Sequence, residues 1–376
     1  MELFITLLLI CGACLLFMQY YSRPIEKPDR LSGRKVRYPK APIFIFWVTV
    51  IYVSAFRYGF CDTGLYRDLC KAIGTDYARA SDETFAINDV GFNYLMIFLN
   101  RCGFHPQMII VVTSVIIFTI YARAIQKYSQ DIPYSLLLFL MLSYCGMING
   151  IRQVLAGAVI FLGLPFLRDK KFMPYALLVL LASTIHASAI IMLPLYFVIS
   201  GKRINWLVWV FFGVVVVFFV APGLANSLLG TLLEDSTYKD YLTTEAQMGI
   251  MRLLVAAVPV ALSIVYAVVE YRTRGADGEL SESDRLTDVL INMQLLSFGF
   301  TTLGLRMVYF ARLAMYFEGA LFLLLPRAIK GSFNTPSARF VKVASIGLYT
   351  LYFAYQIITF QSYGYFNDFR FYFKIW

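Results

Sequence analysis

The strongest constraint on this 376-residue chain is a series of apolar runs long enough to cross a lipid bilayer. Coiled as helices, runs of about 17 to 22 residues match the roughly 30 Å hydrocarbon core, and polar connectors separate them. Hydrophobic side chains make up 59% of the chain and charged ones 15%. That leaves too little polar surface for a soluble globule of this size. The sequence therefore predicts an all-α polytopic membrane protein.

Length and flanking residues predict about twelve transmembrane helices in one bundle, with 1–376 as a single integral membrane domain. An apolar stretch at Val90–Phe104 is interrupted by polar residues and is predicted to be interfacial or re-entrant. The predicted spans are Leu3–Tyr20, Pro42–Tyr58, Gln107–Ile125, Ile132–Asn149, Ile151–Leu167, Met173–Ile185, Ala187–Ser200, Ile204–Ala221, Ile250–Tyr271, Asp288–Gly304, Val308–Pro326 and Phe340–Phe360.

Basic residues in the connectors predict the orientation, because Lys and Arg concentrate on the cytoplasmic side. The connectors after the first, third, fifth, seventh, ninth and eleventh segments are all basic, as in Arg168-Asp169-Lys170-Lys171. This pattern places six connectors in the cytoplasm and both termini outside. Two longer outer loops follow, at about 59–106 and 222–249. The net charge of +10 is then topological, and no nucleic-acid partner is expected.

The cysteines form no metal-binding pattern, although Cys61 and Cys70 share one outer loop and could form a disulfide in an oxidising compartment. Tyrosines at the predicted outer face could stack on sugars, but tyrosine is also the usual residue of the membrane interface. They are Tyr94, Tyr238, Tyr241, Tyr363 and Tyr365.

Arg152 and Gln153 lie where the fourth segment ends outside and the fifth begins. Arg152 and Ala156 share one helix face, so the guanidinium points along a small-residue groove toward the outer interface. Its fixed donors match phosphate oxygens, which predicts pyrophosphate binding with Gln153 as a positioning donor. An interfacial anchor that snorkels to the headgroups is the alternative.

Two outer residues are predicted to move protons. His186, one of two histidines, stands at the turn between the sixth and seventh segments and could accept a proton near neutral pH. A helix-packing histidine is the alternative reading. Asp62 follows the second segment, with Tyr66 one helical turn later. It could cap a helix, pair with an outer arginine, or act as the second choice for a general base.

Arg306 and Arg312 bracket the outer turn between the tenth and eleventh segments, with Tyr316 one turn beyond Arg312. Cations on the outer side oppose the usual charge bias, so they call for a partner such as Asp62, Asp89 or a phosphate. Glu318 lies deeper in the same segment and is predicted to form a buried structural pair.

These residues occur in an order that resembles the EpsG family of bacterial exopolysaccharide polymerases, which are related in role to Wzy O-antigen and capsule polymerases. The matching motifs run from Asp62 to the final segment. They are Asp62-x-x-x-Tyr66, Gly91-Phe92-x-x-Leu95, Ile151-Arg152-Gln153-x-x-Ala156, His186-Ala187-Ser188-Ala189 and Arg312-x-x-x-Tyr316-Phe317.

The resemblance implies a metal-independent glycosyltransferase without a cofactor, in the bacterial cytoplasmic (inner) membrane. It would move a glycan from undecaprenyl pyrophosphate to a hydroxyl of another lipid-linked repeat unit at the outer face. Membrane lipids, a chain-length regulator and a flippase are candidate partners. In this reading His186 and Asp62 are catalytic, and Arg152, Gln153, Arg306, Arg312 and Tyr316 bind pyrophosphate. The alternatives are a lipid-linked oligosaccharide flippase or transporter, and a lipid-linked glycan ligase.

Overall fold

The structure is a computed structural model that describes residues 2–29, 31–81, 89–223, 227, 249–274 and 281–373. Most of the predicted outer loop at 222–249 lies outside this part of the chain, as do Tyr238 and Tyr241 within it.

Nearly all of the regular structure is helical, apart from one short antiparallel pair of strands, β1 (Arg23–Pro24) and β2 (Val36–Arg37). The helices are α1 Glu2–Tyr20, α2 Lys40–Ala55, α3 Thr63–Ile73, α4 Val90–Arg101, α5 Met108–Tyr128, α6 Ile132–Leu138, α7 Tyr144–Met147, α8 Ile151–Phe161, α9 Leu164–Arg168, α10 Phe172–Ile185, α11 Met192–Ile199, α12 Trp206–Val220, α13 Ile250–Arg274, α14 Glu282–Gly304, α15 Val308–Leu313, α16 Glu318–Ser332 and α17 Thr335–Ser362. A π-helical segment, Phe139–Ser143, joins α6 to α7, and 3-10 turns span Tyr77–Ser81, Ala187–Ile191 and Ala314–Phe317.

Every predicted span coincides with helix, so the all-α prediction is confirmed for the described residues. Five helical stretches among them are long and apolar enough to cross a membrane: Glu2–Tyr20, Met108–Tyr128, Ile250–Thr273, Val308–Ser332 and Thr335–Ser362. Others are shorter apolar helices, such as Ile151–Phe161 and Phe172–Ile185. The number of spans and their orientation stay predictions, as does the single domain.

The chain forms two compact units. The first comprises residues 1–162, 177–190 and 343–376, and the second comprises residues 163–176 and 191–342. In the first unit α2 packs against α1 and α5, α5 packs against α8, and α3 packs against α4 and α5. In the second unit α14 packs against α12, α13, α15 and α16.

A fully buried arginine fixes the C-terminal end of α2 in the first unit. Arg57 donates to the carbonyl of Ser54, to Thr63 Oγ1 at 3.0 Å and to the Ile148 carbonyl at 2.8 Å. The Gln107 amide in turn donates to the Arg57 carbonyl at 3.0 Å. Because a buried guanidinium is costly unless its donors are satisfied, these bonds hold the starts of α3 and α5 against the end of α2.

In the second unit, a buried ion cluster joins α13 and α14 to the loop before α12. Arg203 pairs with Glu270 on α13 and, through Nε at 2.8 Å, with Asp288 on α14. Asn292, one turn beyond Asp288, donates to the Ile199 carbonyl at 3.2 Å and accepts from the Ile204 amide at 3.0 Å. These bonds give hydrogen-bond partners to carbonyl groups at the C-terminal end of α11, and they fix the loop in which Arg203 lies.

Cys61 and Cys70, for which the sequence left a disulfide open, are both free thiols. Cys70 is buried and its sulfur lies 3.5 Å from Asn100 Oδ1. Burial raises the pKa of each of these two thiols to about 12. Both are therefore protonated and weakly nucleophilic near neutral pH.

Candidate active site

Asp89 is the centre of a polar cluster in the first unit. Its carboxylate Oδ2 accepts from Arg152 Nη1 at 2.7 Å and lies 3.1 Å from His186 Nδ1, while Oδ1 accepts from the Ala187 amide at 2.9 Å. The Asp89 side chain is only 4% exposed, compared with 15% for His186 and 25% for Arg152. A buried anion thus holds two more accessible groups from different segments of the chain.

Backbone conformation brings these residues together. Gly150 lies directly before α8 and has a φ of +56°, a conformation that favours glycine. The turn at Gly150 places Arg152 in the first turn of the helix. Gly91 lies two residues after Asp89, where a Cβ atom would come within 2.9 Å of the Thr184 carbonyl oxygen. The absence of a side chain at Gly91 therefore lets α4 approach the end of α10, next to His186.

The hydrogen bonds around Asp89 set the chemistry of the imidazole. An ionised carboxylate can only accept, so His186 Nδ1 is the donor to Asp89. In the neutral ring this leaves Nε2 as the basic nitrogen, which is the arrangement that an aspartate imposes on a catalytic histidine in hydrolases. Arg152 balances the charge of Asp89, so the cluster gains a positive charge when His186 takes up a proton.

Tyr66 on α3 forms the wall beside Arg152. The guanidinium carbon of Arg152 lies 5.8 Å from the centre of the Tyr66 ring, and Tyr66 is buried. Burial raises the pKa of the Tyr66 phenol, and the charge of Arg152 opposes this shift. The phenol therefore stays protonated near neutral pH and can donate a hydrogen bond.

Asp62 occupies the position before the first turn of α3, as predicted, but its side chain makes no capping hydrogen bond. Capping or pairing was the expected structural role. Among the described residues its carboxylate has no hydrogen bond or ion pair. The expectation of a cap or an ion pair is therefore wrong, and the catalytic role predicted for Asp62 stays a prediction.

Gln153 follows Arg152 in α8 and is buried. Consecutive helical residues point about 100° apart, so its amide and the Arg152 guanidinium leave the helix in different directions. Its predicted role as a positioning donor stays a prediction.

The other predicted site residues belong to the second unit, and their roles in pyrophosphate binding stay predictions. Arg306 is exposed, with its guanidinium carbon 4.8 Å from the centre of the Phe219 ring. Arg312 is exposed on α15, and Tyr316 is buried in the following 3-10 turn. Glu318 pairs with Arg252 at 3.4 Å, a contact that is partly exposed instead of buried.

Sequence reasoning proposed Asp89 only as a partner for Arg306 or Arg312 and missed its position between Arg152 and His186. One signal was present. Asp89 stands two residues before Gly91-Phe92, one of the motifs on which the resemblance depends. An acidic residue directly before an apolar helix is placed where the helix N-terminus favours negative charge.

Comparison with known proteins adds the family. No curated protein and no solved structure matches the chain. The family model that matches is that of the EpsG family, over residues 40–370. This range includes Asp62, Asp89, Arg152 and His186, and the apolar helices agree with a membrane protein. Because the match covers most of its length, the chain belongs to the EpsG family, which is associated with exopolysaccharide-related, glycosyltransferase-like polymerase activity.

Proposed function

We propose that this protein polymerises a polysaccharide at the outer face of the cytoplasmic membrane. It transfers a glycan from undecaprenyl pyrophosphate to a hydroxyl of another lipid-linked repeat unit. The observation that carries the proposal is the nearly buried Asp89 carboxylate that orients His186 and holds Arg152. Family membership and the apolar helices support the reaction class and the membrane setting.

His186 acts as the general base. The acceptor hydroxyl gives its proton to Nε2 while its oxygen bonds to the anomeric carbon of the donor glycan. The bond between that carbon and the pyrophosphate oxygen breaks, and the lipid pyrophosphate leaves with the electron pair. Asp89 stabilises the imidazolium that forms, because its carboxylate lies 3.1 Å from Nδ1.

Arg152 binds the departing pyrophosphate. Its charge is independent of pH in the physiological range, and its planar donors fit phosphate oxygens. Asp89 accepts from Nη1 and so fixes the guanidinium in place, which favours a preorganised charge at the site. Arg306, Arg312 and Tyr316 are the further groups proposed to contact the pyrophosphate, and Asp62 the second proton acceptor.

The test is polymerisation of purified lipid-linked repeats by the protein in lipid nanodiscs. Arg152→Ala and His186→Ala should abolish long chains, measured as polymer formed per folded protein. Asp169→Asn is the matched control, since it removes a carboxylate that pairs only on the surface with Arg168. Full-length polymer from both site variants would show that Arg152 and His186 do not carry out the proposed reaction.

A deletion strain separates polymerisation from transport. Failed polymerisation leaves single lipid-linked repeats at the outer face of the membrane, where an impermeant glycosidase can reach them. Failed flipping leaves them at the inner face, protected until the cells are lysed. Protected repeats would contradict the polymerase and favour the flippase.

A further inference from the structure

A second group of outer residues in the first unit combines cations with aromatic rings. The guanidinium carbon of Arg67 lies 4.2 Å from the centre of the Tyr58 ring and 5.5 Å from that of Tyr372, and Arg370 lies 4.7 Å from Tyr58. The Tyr58 and Tyr372 ring centres are 5.2 Å apart, and the His105 ring is 5.7 Å from Tyr372. We call Tyr58, Arg67, His105, Arg370 and Tyr372 the cation–aromatic platform.

The platform is held on rigid backbone. The Tyr58 amide donates to the Arg370 carbonyl at 2.7 Å, and the Tyr372 amide donates to the Phe56 carbonyl at 2.7 Å. Gly59 permits this pairing, since a Cβ there would lie 2.9 Å from the Asp368 carbonyl oxygen. Residues 368–372 thus form an extended segment that pairs with residues 56–59, which include the buried Arg57.

Buried aromatic residues hold this segment in place. Phe366 and Phe369 are buried, and both rings contact Phe4 and Phe60, with ring centres 5.2 to 6.2 Å apart. The platform itself is not buried, because Arg370 is exposed and the other four side chains are half-buried. It is therefore a preformed surface that remains open to a ligand.

Charge indicates what the platform binds. Arg67 donates to Gln107 Oε1 at 3.3 Å, and among the described residues neither Arg67 nor Arg370 has a carboxylate within ion-pairing distance. By contrast, Arg152 and Arg168 each have a carboxylate partner at 2.7 Å. Two guanidinium groups that share the Tyr58 ring without a counter-charge among the described residues favour an anionic ligand. The Tyr372 ring, whose centre is 5.5 Å from Arg67, offers a flat face for stacking on a sugar.

The platform is adjacent to the candidate active site. Tyr66 contacts Arg152, and the next residue of α3, Arg67, belongs to the platform. Their Cα atoms are about 3.8 Å apart. Helix α3 therefore connects the candidate active site to the platform, and the side chains of Tyr66 and Arg67 leave it in different directions.

We propose that the cation–aromatic platform is a binding subsite for an acidic sugar residue of the glycan, such as a hexuronate. The sugar face stacks on Tyr372, and its carboxylate pairs with Arg67 and Arg370, the two guanidinium groups held over the Tyr58 ring. The inference rests on the proposed function for the identity of the glycan as substrate. It adds a preference for acidic repeat units, which a neutral binding surface would not have.

Binding of defined oligosaccharides to the protein in phosphatidylcholine nanodiscs tests the platform. The probe is a galacturonic acid tetramer, and its neutral methyl ester is the matched comparison. The acidic tetramer should bind the wild type about tenfold more tightly than the ester, and Arg67→Gln with Arg370→Gln should remove that difference. Tyr372→Leu should weaken binding of both probes. Equal binding of the two probes to the wild type would overturn the proposal.

Controls separate this subsite from other roles of the same residues. Arg101→Gln removes a different stacked arginine, which lies 4.1 Å from the Tyr77 ring centre, and should leave binding unchanged. Thermal unfolding identifies variants that fail to fold, and the exposed single variant Arg370→Gln then replaces the double one. If phosphatidylglycerol in the nanodiscs abolishes tetramer binding, the platform binds lipid headgroups and the proposal is wrong.

Failure of the subsite and failure of the polymerase are distinguishable. Tetramer binding is measured without a lipid-linked donor, so its outcome does not depend on catalysis. Tetramer binding without polymerisation by the wild type would refute only the reaction. Polymerisation of an acidic repeat that is unaffected by the Arg67 and Arg370 variants would refute only the subsite.

Discussion

Each compact unit contains a buried arginine–carboxylate cluster, and the two differ in composition. Around Asp89, one carboxylate accepts from three donors, one of which is the His186 imidazole. Around Arg203, one guanidinium faces two carboxylates, Glu270 and Asp288, and no histidine takes part among the described residues. The first composition favours proton transfer, whereas the second favours a fixed contact between helices.

The comparison predicts opposite consequences of removing charge from the two clusters. The largest effect expected is that of Asp89→Asn on polymerisation. The amide can no longer fix His186 with Nδ1 as donor, and the rate should fall by up to about 10⁴-fold, as for an aspartate-to-asparagine change beside a catalytic histidine. Polymer formed per folded protein in nanodiscs is the measurement. A variant with wild-type rate would place Asp89 among purely structural residues.

Arg203→Ala should act on stability and not on chemistry. It leaves two carboxylates buried without their cation, which typically lowers the free energy of unfolding by about 3 kcal/mol. The measurement is the thermal or detergent-induced unfolding midpoint, together with activity normalised to folded protein. Arg252→Ala serves as control, since the Arg252 side chain is 41% exposed and its pair with Glu318 is longer, at 3.4 Å. A stable but inactive Arg203→Ala protein would contradict the distinction.

A steric change near the first cluster should have an intermediate effect. Gly91→Ala introduces a Cβ within 2.9 Å of the Thr184 carbonyl oxygen and Cβ, so α4 must move away from the end of α10. Displacing Asp89 from His186 by a few tenths of an ångström should lower the rate roughly tenfold. Gly12→Ala is the matched control, because no atom lies within 4 Å of its new Cβ. Equal rates for the two variants would show that this close approach does not position the site.

The smallest effect concerns the thiols of the first unit. The pKa of Cys61 and that of Cys70 are raised to about 12, so the reactive thiolate fraction is small at pH 8 and rises as the pH approaches 12. Iodoacetamide should therefore modify the exposed Cys102 first, and Cys61 and Cys70 slowly, with mass spectrometry as the readout. After unfolding without reductant both should react fully. Resistance to alkylation in the unfolded chain would indicate the disulfide that the structure lacks.

The helices could be predicted from sequence because apolar runs of a fixed length have few alternatives in a bilayer. Arg152 and His186 were also identifiable, since cations and imidazoles are costly near lipid. Asp89 was not, because its role depends on the turn at Gly150 and on the close approach at Gly91, which bring together residues 89, 152 and 186. The pairing of residues 56–59 with residues 368–372 could not be predicted from sequence either, since no local pattern specifies a partner so distant in the chain.

The length of helix α10 has a consequence for how the proposed polymerisation depends on the lipid environment. Its 14 residues rise about 21 Å, compared with the roughly 30 Å of a typical hydrocarbon core. In the predicted orientation the helix starts at the inner boundary, so His186 lies several ångströms below the outer one. The difference between the helix length and the bilayer thickness should therefore make the rate of the proposed polymerisation depend on the length of the lipid acyl chains. Thinner bilayers bring the headgroup region down to the imidazole, whereas thicker ones lengthen the distance that a lipid-borne diphosphate must sink to reach it.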